Sequence, residues 1–433
     1  MKIAVIGSGI AGLSCAHALV REHGMAVTLF EAGNYLGGHS NTVDVEVDGI
    51  RHPVDTGFLV FNHRTYPNLV RLFGELAVPT AKSEMSFSVS LGGEIEWAGT
   101  SLAAVFAQPA NLLRPRFIAM LRDILRFNRA ATAAALSGED TVSLGEMLAR
   151  DRYSEAFRDW YLLPMAAAIW SCPTAAMLAY PFSTFARFCH NHGLLQVSNR
   201  PQWYTVAGGA REYVRRMSVA IDVIRTSTPV TRVRRTAAGV IVHSRGQGRE
   251  AIEHFDHAVL ACHSDQALAV IDEPSAAERA VLGAVGYQPN VAWLHTDRAL
   301  LPRRERVWAA WNYLSGPPSA NAHTAGESRP VAVSYLINKL QPVPFKSPVV
   351  VTLNPPHPPR DDRVLARFDY AHPVFDQAAV AAQGRLPDIQ GANRLWFAGA
   401  WAGYGFHEDG LKSGLAAATG LAGQVCTSRQ AAA

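Results

Sequence analysis

The sequence predicts an α/β chain, a Rossmann-like domain interrupted by an inserted α+β domain of mixed sheet and helices. Three observations carry this expectation. Ile3, Val5 and Ile6 form a short apolar run that ends at GSGIAG, and AGLSCAHALVREHG after it reads as a helix closed by Gly24. A second run, AVTLFE, ends in Glu31. Near the other end, Leu395, Trp396, Phe397 and Ala398 read as a buried strand stopping at Gly399, with a helix expected from Gly410 to Gly420.

Each part of the first unit has a physical task. Gly7 makes the tight turn, Gly9 lets the backbone approach a pyrophosphate, and Gly12 lets helix and strand pack closely. The first N–H groups of the helix, at Ile10, Ala11 and Gly12, lack intrahelical acceptors and are available to an anion. A lone GxGxxG is weak evidence, but a second strand ending in Glu31, followed by Ala32, adds the carboxylate that binds ribose hydroxyls. That carboxylate favours a 2′-hydroxyl over a 2′-phosphate and leaves FAD and NAD unseparated.

Composition bounds the rest. A chain of 433 residues, 48% hydrophobic and 18% charged, can bury a large core in two or more domains. A formal net charge of +4 is far below the Lys/Arg excess that binding a phosphate backbone requires, so nucleic acid is not an expected partner. Cys15, Cys172, Cys189, Cys262 and Cys426 are scattered without a CxxC pair or metal-ligand spacing. That pattern points to a reduced, cytoplasmic protein with neither a disulfide framework nor a metal. The first strand follows Met1 directly, without a signal-peptide pattern, and no apolar run reaches membrane-spanning length. Peripheral attachment at the inner face of a membrane stays open.

Three further strings narrow the nucleotide. They are EAGNYLGGHSNT, beginning at Glu31, VDTGFLVF, with Asp55, Thr56, Gly57 and Phe58, and WFAGAWAGYGFHEDGLKSGLAAA from Trp396. With them the chain resembles the flavin-containing amine oxidoreductase superfamily, which includes amine oxidases, protoporphyrinogen oxidases and phytoene desaturases. The resemblance implies FAD, held non-covalently, since no Cys stands where it would obviously form a flavin thioether. It implies cofactor contacts at Gly37, Gly38 and His39, at Thr56, Gly57 and Phe58, and at Gly399, Ala400, Glu408, Asp409 and Gly410. Small residues after Gly410 are expected to let that helix approach the ligand. Two positions depart from the superfamily pattern. His39 replaces the Arg usual after the paired glycines, and Phe406 takes the place of a cage tyrosine of amine oxidases. TVAGGAREYV and STPVTRVRRTAAGVIVHS resemble the superfamily's return to the FAD domain, with Val233 as the adenine contact.

On this resemblance residues 1–80, 201–265 and 391–433 form the FAD-binding domain, and 81–200 and 266–390 a substrate domain inserted twice. Inside the latter, MSFSVSLGGEIEW alternates about Gly92 and Gly93 as a hairpin does, and helices are expected over 102–190. In PRFIAMLRDILRFNRA, Phe117, Ile118, Leu121, Ile124 and Leu125 share a face edged by Arg122, Arg126 and Arg129. Such a helix suits a membrane surface, or a core contact with solvated arginines. Trp160, Trp170, Phe185, Phe188 and Trp203 are candidates for an apolar tunnel, most of them expected in plain core. His190 and His192, two apart and without a third ligand, read as hydrogen-bonded structural histidines.

EMSFSVS, NHGLL, RPQWYTVAGGAREYV, YAHPVF and WFAGAWAGYGFHEDGLKSG jointly resemble the bacterial branch that modifies lipid acyl chains, including dehydrogenases of methyl-branched fatty acids in furan fatty acid synthesis. The resemblance implies an FAD-dependent dehydrogenase of an unsaturated or methyl-branched fatty acyl chain. Hydride would pass from an allylic carbon to flavin N5, a base would take the neighbouring proton, and an unidentified acceptor would reoxidise the flavin. The alternatives are a fatty acid double-bond isomerase, a flavin amine oxidase and a non-catalytic nucleotide-binding protein. His407, His192 and Tyr204 are the candidate proton acceptors.

Overall fold

The computed structural model describes residues 1–137, 142–170, 177–196, 200–315 and 332–432. Cys172 lies outside them, and the other four cysteines are free.

Short, mainly apolar runs assemble as a five-stranded parallel sheet whose inner strands are largely buried. Its strands are β1 (Lys2–Ile6), β2 (Ala26–Phe30), β3 (Val223–Arg225), β4 (His257–Leu260) and β5 (Leu395–Phe397), in the order β3-β2-β1-β4-β5. The chain builds outward on one side of β1 and then on the other, so a crevice opens at the carboxyl ends where the order reverses. GSGIAG follows β1, Glu31 follows β2, Ala261 and Cys262 follow β4, and Gly399 lies just past β5. All these turns therefore share one rim. Helix α1 (Ile10–Arg21) leaves that rim and buries Leu13, Cys15, Ala16 and Leu19.

A second sheet has seven strands, in the order Val364–Val374, Gly286–His295, Val350–Leu353, Ala332–Leu336, Trp311–Ser315, Phe87–Leu91 and Ile95–Ala98. Only the pair Trp311–Ser315 and Phe87–Leu91 is parallel. The hairpin joining the last two strands turns at Gly92 and Gly93, whose φ angles of 58° and 79° are the left-handed values a two-glycine turn supplies. Phe61–Asn62, Trp203–Val206 and Thr80–Ser83 form a small sheet of their own, and Val230–Arg235 belongs to a separate three-stranded meander.

Four further helices matter for the site: α2 (Pro67–Glu75), α3 (Pro115–Ser137), α4 (Phe182–Asn191) and α5 (Arg211–Ser218). Helix α3 packs on α4 and buries Phe117, Met120, Phe127 and Ala131. The apolar face expected at Phe117, Ile118, Leu121, Ile124 and Leu125 is therefore corrected, because Ile118 and Leu125 point to solvent. Asp123 shows why the helix is rotated. Its enclosed carboxylate accepts the Ser154 N–H at 2.9 Å and pairs with Arg126, which draws that edge inward. Trp160 is half-buried against the core, with the exposed Arg116 guanidinium 5.0 Å from its ring centroid.

The last helix, α6 (His407–Ala432), begins one turn before the expected Gly410. A Cβ on Gly410 would stand 2.8 Å from the Ile10 side chain, and one on Gly414 2.2 Å from the Ala11 carbonyl oxygen. These small residues thus serve the contact between α6 and α1. The two ends of the chain meet there.

Candidate active site

The rim carries an open helix terminus. Helix α1 follows Gly9 with no side-chain cap and no acid in its first turn, so the N–H groups of Ile10, Ala11 and Gly12 lack side-chain partners. A Cβ on Gly9 would meet nothing within 4 Å, whereas one on Gly12 would fall 1.8 Å from the Gly7 oxygen and one on Gly7 2.6 Å from the Ala261 oxygen. Gly7 and Gly12 close the turn; Gly9 leaves room above it. The Glu31 carboxylate accepts Ser8 N–H at 3.0 Å, Ser8 Oγ at 2.5 Å and Gly33 N–H at 2.7 Å, which fixes it on the rim with acceptor capacity to spare. Ala32 beside it is exposed. Gly37 donates its N–H to the Ser8 oxygen at 3.0 Å, and Gly38 lies against Gly9.

The chain then runs back along the crevice. Phe58 N–H donates to the His39 oxygen at 2.8 Å and Thr56 N–H to the Asn41 oxygen at 2.9 Å, with Gly57 between them because any Cβ would meet the His39 oxygen at 2.3 Å. The Thr56 hydroxyl donates to the Asn41 oxygen and lies 2.8 Å from the Tyr370 hydroxyl. His39 stacks on Tyr370 with centroids 4.8 Å apart, 5.1 Å from the His372 ring. Burial, then the neighbouring His372 and His263, holds His39 well below the ordinary imidazole range, so it is neutral at pH 7. Its Nε2 is enclosed without a partner among the described residues. An uncharged donor or acceptor thus occupies the place of a fixed cation.

At the other end, Gly399 donates its N–H to Ser413 Oγ at 2.7 Å, and Trp401 Nε1 donates to the Cys262 oxygen at 3.2 Å. Ala400 is part-buried between them. Glu408 and Asp409 have their carboxylates engaged within the protein. Glu408 accepts the Asn68 and Leu69 N–H groups at 2.9 and 3.0 Å and so caps α2. Asp409 accepts those of Tyr404 and Phe406 at 3.1 and 3.0 Å. Their carboxylates shape the loop before α6, and Gly410 packs on Ile10.

The three candidate proton acceptors are not brought together. His407 lies under Phe58, and its Nε2 is 2.8 Å from the Tyr213 hydroxyl, which also bonds Ser40 Oγ. Burial lowers this imidazole to about 3. His192 caps α4, its Nδ1 3.0 Å from the Phe188 oxygen, and stacks on Phe188 at 4.0 Å. Its pKa is lowered to about 4 by burial. Phe406 stacks on the same Phe188, with centroids 4.9 Å apart and planes 22° from parallel. Tyr204 stacks on His63 at 4.4 Å, while its strand neighbour Trp203 approaches His192, because adjacent strand residues point to opposite faces. Trp203 is thus the residue of that strand on the His192 side, and Tyr204 lies on the opposite face with His63.

Val233 needs correction as well. It is wholly buried, and its carbonyl accepts the Asp272 N–H at 2.9 Å, so it offers no surface to adenine. Val230, earlier on the same strand, is part-exposed, and Thr228 N–H close before it donates to the Glu31 oxygen at 2.9 Å.

Residues 10–354 match the family described as flavin containing amine oxidoreductase. The chain belongs to that family. A Mycobacterium tuberculosis protein named "Putative flavin-containing monoamine oxidase AofH" is 28% identical over 259 residues, 56% of this chain and 54% of that protein. The chain thus spans about half the length of that curated relative. Cyclohexylamine oxidase from Brevibacterium oxydans is similar with a TM-score of 0.68 at 17% identity, covering 98% of this chain and 99% of the other. The CLA-producing fatty acid isomerase from P. acnes has a TM-score of 0.66 at 13% identity, with 96% and 97% covered. At such identities these two likenesses establish the fold alone.

As a member of the flavin-containing amine oxidoreductases, the chain takes FAD, bound non-covalently. The rim fits that group on its own geometry. An uncapped helix end with open space over Gly9 suits a pyrophosphate, Glu31 sits where a ribose is expected, and an orphaned imidazole nitrogen waits at His39. Sequence reasoning misses Ser40, Tyr213, Tyr370 and His372, because their contacts join residues far apart in the chain. The one available signal is the place of Tyr213 on the buried face of α5 with Val214 and Met217. Among the described residues no group of three or more His, Cys, Asp or Glu side chains could hold a metal.

Proposed function

We propose that the chain dehydrogenates an unsaturated or methyl-branched fatty acyl chain. The observation that carries this reading is the contact between Phe188 and Phe406. A cage for an amine needs two aromatic faces standing apart with the nitrogen between them. Here the two rings cover one another, and Trp203, Tyr66 and Trp170 surround them and His192, giving an apolar wall. Such a wall suits a hydrocarbon chain and excludes water from it.

FAD, when bound, supplies the two-electron acceptor for a hydride from an allylic carbon. The chain's own part is to orient the substrate and take the remaining proton. His192 serves that step best. Its Nδ1 faces a carbonyl and so carries the hydrogen, which leaves the Nε2 lone pair as the acceptor. The substrate loses one hydride and one proton and gains one carbon–carbon double bond. Residues 1–80, 201–265 and 391–433 are assigned to FAD and residues 81–200 and 266–390 to the substrate, with Gly7, Gly9, Glu31, Gly37, Gly38 and His39 at the nucleotide.

The test is anaerobic addition of methyl-branched unsaturated fatty acids, and separately of amines, to the yellow holoprotein. Acyl chains should bleach the flavin absorbance and yield a product two hydrogens lighter. Bleaching by amines alone would overturn the reading, and a product of unchanged mass would replace dehydrogenation by isomerisation.

A further inference from the structure

We propose that the outward face of α3, with the turn before it, docks on the surface of an anionic lipid bilayer. Ile118, Arg122, Leu125, Arg129 and Leu136 recur at steps of three, four and seven residues and are all exposed, so they form one stripe along the helix. The opposite face is already spent on the core through Phe117, Met120, Phe127 and Ala131. The stripe is not a scatter of single surface residues. Leu113 just before the helix is 87% exposed and Leu136 near its end 74% exposed, and Leu112 and Leu125 each expose more than half their area. Leu112, Leu113, Arg114, Pro115, Ile118 and Arg122 line one shallow depression, an apolar floor with guanidinium groups at its edge.

Charge decides the occupant. Arg116 pairs with Glu155, and Arg126 with Asp123. Arg122 and Arg129, inside the stripe, have no hydrogen bond or ion pair among the described residues, and the only acid of α3, Asp123, is buried. Interleaved leucines and unpaired arginines match a surface that offers acyl chains and phosphates together, with the leucines entering the headgroup boundary and the guanidinium groups meeting the anions. A second copy of the chain fits poorly, because a two-fold contact would bring this cationic stripe against itself. No helix among the described residues is long and apolar enough to cross a membrane, so the contact is with the surface. Helix α3 packs on α4, which carries Phe188 and ends at His192, so the docking face lies one helix away from the aromatic wall. The inference stands apart from the acyl-chain reading, since a docked protein of any substrate class would show it.

The test is flotation of the flavin-loaded protein with phosphatidylcholine vesicles, with and without phosphatidylglycerol. Binding is expected only with phosphatidylglycerol, weakening as salt rises. Arg122→Gln with Arg129→Gln, and separately Leu113→Ser with Leu125→Ser, should each reduce binding at least tenfold while the flavin spectrum is retained, and Arg245→Gln on a distant strand should leave it unchanged. No binding to the anionic vesicles, binding indifferent to both double variants, or a dimer in solution that the leucine variant dissolves would each overturn the proposal.

Discussion

The Tyr213 hydroxyl stands 2.8 Å from Nε2 of His407 and links helix α5 to the first residue of α6. The same hydroxyl bonds Ser40 Oγ, and Phe58 lies flat on the imidazole, so three distant segments are tied at one point. Tyr213→Phe removes the hydroxyl and leaves the buried ring nitrogen only its longer contact with Ser40 Oγ, at 3.5 Å. A loss of about 1–3 kcal/mol in unfolding free energy is expected, read from urea denaturation. An unchanged midpoint would show that the bond contributes nothing.

Two glycines a turn apart should respond in opposite ways. Gly9→Ala meets open space, so the protein should fold with near-native stability yet lose FAD, whereas Gly12→Ala drives a methyl group into the Gly7 carbonyl and should prevent folding. Soluble yield and flavin absorbance after purification distinguish the two. Equal behaviour would contradict the division of roles at the turn.

Glu31 is expected to act through its charge. Both of its oxygens accept hydrogen bonds, so Glu31→Gln must turn an amide group toward a donor. FAD affinity should fall about tenfold to a hundredfold, on the order of 1.4–2.8 kcal/mol, in a fluorescence titration of the apoprotein. Wild-type affinity in that variant would remove Glu31 from the cofactor site.

His192→Ala should keep the flavin spectrum and slow anaerobic bleaching by the acyl substrate on the order of a hundredfold to ten-thousandfold, the usual contribution of a positioned base. Stopped-flow absorbance measures it. A variant that bleaches at the native rate would return the proton to another acceptor.

Stability should fall with acid. Burial lowers His192, His295 and His372 to about 4 and His407 to about 3, so all four bind protons on unfolding below about pH 6.5, and their contribution is lost as pH falls from there. Asp55 and Asp409, pushed up to about 6 by burial, act with the opposite sign, their contribution being lost as pH rises through about 6. The histidines outnumber the carboxylates. Calorimetry of the holoprotein should show the melting temperature dropping between pH 7 and pH 5, and a rise would reverse the assignment.

The local pieces of this protein were legible because backbone constraints are local. A strand followed by GSGIAG, the acid that closes the second strand, and the turn at Gly92 and Gly93 depend on neighbours a few residues away. Side-chain direction was less legible. Strand alternation separates Trp203 from Tyr204, yet cannot say which of them meets His192, and the periodicity of α3 contains two apolar arcs of which the core takes one.

By itself, then, the sequence determined the nucleotide fold, the glycines of its turn and the acidic end of its second strand, since each follows from φ, ψ and hydrogen-bond requirements within a short stretch. Tertiary structure alone decided that Phe406 stacks on Phe188, that Tyr213 ties down His407, that Val233 is sealed and that Ile118 and Leu125 face outward. Those outcomes depend on packing between segments far apart in the chain, where the choice goes to whichever face fills the space best, and no local pattern encodes that competition.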